Sequence, residues 1–123
     1  MKIETTILKN LLQNEDYARK VLPFLNDEYF TENSDKIIYN QINNFILKYN
    51  SLPNKEALNI ELSEAKITEE DFKESVNLIN EIGKDDQEFS DLSWLLDTTE
   101  KFCQDKAIYN AVVESISILD NPK

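Results

Sequence analysis

The residues of this 123-residue chain best equipped for chemistry are two runs of carboxylates and one thiol. Glu69-Glu70-Asp71 and Asp85-Asp86-Gln87-Glu88 could present hard oxygen ligands to Ca²⁺ or Mg²⁺. Neither run has the alternating acidic spacing or the loop glycine of an EF-hand, and adjacent carboxylates at a helix start or in a loop ordinarily face water. The pattern therefore assigns them no metal. Cys103 is the only cysteine and the chain has no histidine, so no imidazole can activate the thiol, ligate iron or zinc, or shuttle protons near neutral pH. Cys103 reads instead as a small apolar residue on a helix stripe, with no disulfide partner. The chain has 1 glycine and no G-x-x-x-x-G-K-[ST] signature, so it cannot build a phosphate-cradling loop. Trp94, Tyr29, Phe30 and Tyr49 read as core or interface packing before ligand stacking. No catalytic, cofactor-binding or metal residue is assigned. A binding module fits better than an enzyme.

The elements that would carry such a module are helices. Hydrophobic residues make up 41% and charged residues 30%, enough to bury one core without compositional disorder. One glycine and three prolines leave little for tight turns or bulges, so the expected fold class is all-α. The formal charge is −11, and residues 61–91 hold most of it, with 11 acids against 3 bases. Such a surface repels phosphate backbones, so little direct DNA binding is expected. No apolar run approaches the roughly 20 residues that cross a bilayer, and the N-terminus lacks a signal-peptide stretch, so a cytoplasmic location without membrane contact is expected.

Ile3, Ile7, Leu8, Leu11 and Leu12 recur at helical spacing and predict a helix over about 2–13, with Asn14 as a stop before an acidic first turn. A second helix, about 15–22, should end at Pro23, and Phe24, Leu25, Tyr29 and Phe30 should form an apolar knot. Ser34-Asp35 could cap a third helix burying Ile38, Ile42, Phe45, Ile46 and Tyr49. Asn50-Ser51-Leu52-Pro53 breaks it. Pro53 or Asn54 starts a fourth helix with Ala57, Leu58, Ile60 and Leu62. Thr68, with a capping-box carboxylate at Asp71, starts a fifth that buries Phe72, Val76, Ile79 and Ile82 and ends at Gly83. Lys84–Asp91 reads as a charged loop.

From about Ser90 to Leu119 neither proline nor glycine interrupts the chain, which allows one helix about 45 Å long at 1.5 Å per residue. Leu95, Phe102, Tyr109 and Ile116 fall seven apart, with Val113 beside them, and Leu92, Leu96, Cys103 and Ala107 form a second stripe. Past Ala107 the apolar residues spread around most of the circumference. A helix covered on one face does not need that, so this tract either lies between other helices or packs against something outside the chain. The β-branched content leaves a strand as the alternative within 107–119. The expected division is a head of about five helices over 1–89 and a long helix over 90–123.

The run Tyr17-x-x-Lys20-Val21-x-Pro23-x-x-x-x-Glu28-Tyr29-Phe30 is followed by Tyr49-x-Ser51-x-Pro53-x-x-x-Ala57-Leu58-Asn59. Ser93-Trp94-Leu95, Thr99-Glu100-Lys101 and Ala107-x-Tyr109-Asn110-Ala111 come after. This ordered set, spanning nearly the whole chain, resembles the N-terminal domain of the DnaB-type replicative helicases of T-even-like bacteriophages. The resemblance implies a helical head followed by a helical hairpin, with the long helix as its first arm and a turn beginning near Asn121-Pro122-Lys123. It further implies a collar on a hexameric ring, self-association with other helicase subunits through the hairpin, and contact with primase or a helicase loader. ATP and Mg²⁺ would serve the parent helicase, and no cofactor is expected in this chain. On this reading Leu95, Phe102, Tyr109, Val113 and Ile116 are the partner-binding residues, partly exposed in a lone chain or buried between subunits. The acidic middle third would suit a collar that guides DNA without holding it. The alternative is a free-standing acidic all-α regulator that mimics DNA charge and occupies the basic groove of a nucleic-acid-binding protein.

Overall fold

The computed structural model describes residues 2–84 and 91–120. These form six α-helices: α1 (Ile3–Gln13), α2 (Glu15–Val21), α3 (Asn33–Tyr49), α4 (Lys55–Ser63), α5 (Glu69–Ile82) and α6 (Leu92–Asp120). Two short 3-10 turns, Leu22–Phe24 and Asp27–Tyr29, link α2 to α3, and no strand occurs among the described residues. The strand alternative for 107–119 is thereby corrected, since α6 runs through that segment without a break. The Asp85-Asp86-Gln87-Glu88 run, most of the charged loop, the expected 89/90 boundary and the turn at Asn121-Pro122-Lys123 lie outside the described residues.

Short polar side chains set the helix limits. Asn14 ends α1 and begins α2, its side-chain oxygen accepting from the Tyr17 amide at 3.1 Å. Asn54 does the same for α4, accepting from the Ala57 amide at 2.7 Å, and Thr68 for α5, accepting from the Asp71 amide at 3.1 Å. α3 departs from expectation: it starts at Asn33, no side chain caps it, and Ser34 and Asp35 lie inside its first turn. Its end is Asn50, at φ 53°, a left-handed position that asparagine tolerates better than most residues. Arg19 reaches across from α2 and donates to the Asn50 side-chain and main-chain oxygens at 3.4 and 3.3 Å. Gly83 ends α5 with a right-handed φ of −84°, so its role there is spatial: a Cβ would sit 2.8 Å from the Ile79 carbonyl oxygen.

α1, α3 and α5 pack on one another, with α4 against α3 and α5, and α2 against α1 and α6. Ile7, Leu8 and Leu11 of α1, Tyr17 and Val21 of α2, Ile38 and Ile42 of α3, Leu58 and Leu62 of α4, and Ile79 and Ile82 of α5 are fully buried. Several residues expected inside lie further out. Tyr49 is exposed at the last position of α3, Ile60 because two residues from both Leu58 and Leu62 it faces away from the side of α4 that they bury, and Phe24 and Trp94 are exposed on the turn and on the outer face of α6. Phe45, Ile46, Phe72 and Val76 are partly covered, and Leu25 and Phe30 are the buried members of the knot between α2 and α3.

Candidate interaction surface

Asp91 stands just before α6, and its carboxylate accepts from the Trp94 amide at 3.1 Å. From there Leu95, Thr99, Phe102 and Cys103 recur on one side of the helix and are all buried against the head. Phe102 meets Phe30 with ring centroids 5.9 Å apart, and Phe30 meets Tyr39 at 5.4 Å. Tyr39 donates to the Leu25 carbonyl at 3.1 Å, which ties the knot between α2 and α3 to α3. Thr99 shares a buried hydrogen bond with Tyr17, and burial pushes the Tyr17 hydroxyl up to about 12 although that bond pulls the other way. Burial also pushes the Cys103 thiol up to about 11, so it is held as an unreactive apolar side chain.

Cover then runs out. Lys106 lies over the rings of Phe102 and Tyr109, with its ammonium 5.9 Å from each centroid, and Asn110 donates to the Glu28 carbonyl at 3.1 Å. From Ala111 to Ile118 every residue is exposed. The expected stripe is therefore divided. Leu95 is 1% exposed and Phe102 8%, both within the head's own core, whereas Tyr109 is 63%, Val113 47% and Ile116 53% exposed. Ile108, Val112 and Ile118 stand exposed beside them. Seven-residue spacing keeps Leu95, Phe102, Tyr109 and Ile116 on nearly one line of the helix, with Val113 beside it, so the core contact and the open face are successive parts of one ridge. The open part is also poor in charge, with Glu114 the single charged residue between Ala111 and Ile118 and Ser115 and Ser117 the other polar side chains. A solvated helix surface ordinarily carries mixed charges, so this charge-poor apolar stretch is the candidate contact surface of the described residues.

Spacing alone could not show where the head's cover ends. The latch from Asn110 to Glu28 and the Tyr17–Thr99 pair join positions 82 residues apart and leave no local signal. Glu69, Glu70 and Asp71 form the first turn of α5, where negative charge complements the helix dipole. Among the described residues no three carboxylate or thiol side chains converge as a metal ion would require. Nor is any described helix long and apolar enough to cross a membrane.

Over 115 residues the chain is 32% identical to the DnaB-like replicative helicase of Enterobacteria phage T4. The match takes in 94% of this chain and 24% of that helicase, so the chain spans about a quarter of the length of the relative. This agrees with the likeness carried by the ordered sequence motifs and is consistent with an N-terminal domain of a phage helicase. No protein-family model matches the chain.

Proposed function

We propose that this chain is the N-terminal collar and interaction domain of a phage replicative hexameric DNA helicase. The observation that carries the reading is the uncovered apolar end of α6, where Tyr109, Val113 and Ile116 are exposed on a helix whose first half is locked into the head. The identity to the T4 helicase over nearly the whole chain supports it. On this reading α6 is the first arm of a helical hairpin, and Tyr109, Val113 and Ile116 pair with a second arm and with neighbouring subunits. The head then presents its outer surfaces to primase or to a loader. The domain itself needs no cofactor, since ATP and Mg²⁺ belong to the motor of the parent helicase. Its net charge of −11 disfavours DNA contact, which suits a ring element that DNA must pass. The site of action is the cytoplasm of the infected host cell.

The test is a chimera in which these residues replace the matched segment of the T4 helicase. The expected result is a ring that assembles and unwinds DNA, and loss of ring assembly when Tyr109→Asp and Val113→Asp are introduced together. Equal assembly with and without the two aspartates would contradict the reading.

A further inference from the structure

α1, α3 and α5 converge on a cleft of about 480 Å³ on the head, on residues separate from the open face of α6. Thr5, Ser34, Asp35 and Leu78 are its buried lining, and Lys2, Glu32, Glu74, Asn77 and Glu81 are its exposed rim. Four carboxylates and one ammonium thus line one opening. Lys2 is engaged at the edge, paired with Glu32 at 2.9 Å, and both side chains remain largely exposed. Asp35 differs from the rest. It is only 6% exposed, yet no hydrogen bond or ion pair to its carboxylate is formed among the described residues. A mostly buried carboxylate that lacks a protein partner and whose oxygens reach solvent only through a cleft gains most from a cation that enters there.

We propose that this cleft is a recognition pocket for an arginine side chain carried by a basic segment of a partner protein, with Asp35 as the carboxylate that receives the guanidinium. The charge of the lining selects a cation. Partial desolvation selects guanidinium over ammonium, because guanidinium is more weakly hydrated and its planar fork suits a carboxylate. The opening is wide enough for a side chain and too acidic for a nucleic-acid backbone, and its carboxylates do not converge as metal ligands. Burial, with Glu32 and Glu4 next, pushes the Asp35 carboxyl up, Lys2 opposes them, and Glu81 adds a smaller push. Glu74 completes the charged rim on the α5 side. An incoming cation reverses that balance, so arginine capture releases a proton from Asp35.

The test titrates the 123-residue chain with N-acetyl-arginine amide and follows the Asp35 carboxyl carbon and the amides of residues 32–35 and 74–81 by NMR. The expected result is a saturable shift at those positions and a lowered Asp35 midpoint. The citrulline analogue should give no such shift, and N-acetyl-lysine amide and Mg²⁺ should give clearly weaker ones. Asp35→Asn should weaken arginine binding about tenfold, as loss of one charge-assisted hydrogen bond predicts. Glu74→Gln and Glu81→Gln, on the exposed rim where folding is not at stake, should weaken it severalfold. Three outcomes would each overturn the assignment: no shift with arginine amide, an equal response to lysine amide, citrulline or Mg²⁺, or rim variants that bind as the wild type does.

Discussion

Tyr17 of α2 and Thr99 of α6 share a hydrogen bond between hydroxyl groups that are both completely buried, 82 residues apart in sequence. This is where the long helix is fixed to the head. Leu95 and Phe102 flank Thr99 by one turn on either side and supply the apolar part of the same joint. The bond has a direct consequence for stability.

Removing either hydroxyl leaves the other buried without a partner. Tyr17→Phe and Thr99→Val should each cost about 1–3 kcal/mol of unfolding free energy. The double variant should cost less than the two effects added, because the unsatisfied group disappears with its partner. Urea unfolding of the four proteins measures the coupling, and strict additivity would show that the pair does not interact.

Asp35 predicts a pH dependence of unusual sign. Burial, followed by the charges of Glu32 and Glu4, raises its folded-state carboxyl to about 6 from an ordinary value of 3.8. Between those values the folded chain holds a proton that the unfolded chain has released, so the contribution of this residue to stability falls as pH rises from about 4 to 6. Above that window the loss is complete and constant. Asp35→Asn should remove this slope and leave the protein more stable than wild type at pH 7, a difference that shrinks toward pH 4. Thermal unfolding at several pH values checks it, and parallel profiles for the two proteins would refute it.

Ser75 is fully buried on α5, and its hydroxyl has no hydrogen-bond partner among the described residues. Such a group costs free energy that alanine would not, and the volume change is one oxygen atom. Ser75→Ala should therefore be neutral or stabilising by up to about 1 kcal/mol. A shift of the urea midpoint to lower concentration would show that the hydroxyl makes a contribution after all.

The helices were legible because their limits are local. Asn14, Asn54 and Thr68 act on amides three residues away, and Pro23 stops α2 through its own ring. The start of α3 was less legible, because Ser34 and Asp35 have the chemistry of caps but lie within the first turn, where packing against α1 and α5 buries them. The same packing gives the head its acidic cleft, which joins residues from three separate stretches and so leaves no motif. On α6 the excess of apolar residues after Ala107 was visible in sequence. The point of division was not, since Phe102 and Tyr109 have the same spacing and similar character. What separates them is the reach of the turn at Asp27–Tyr29, which packs on α6 and whose tie to it is the hydrogen bond from Asn110 to Glu28.

Whether the end of α6 is an interface or ordinary core is decided by sedimentation equilibrium paired with urea unfolding of the Tyr109→Asp/Val113→Asp variant. The predicted result is an unfolding free energy within about 0.5 kcal/mol of wild type, as exposed positions allow. Wild type should show an apparent mass that rises with concentration, while the variant stays at its 14.4 kDa monomer. A variant destabilised by several kcal/mol, or one that associates as wild type does, would contradict the claim.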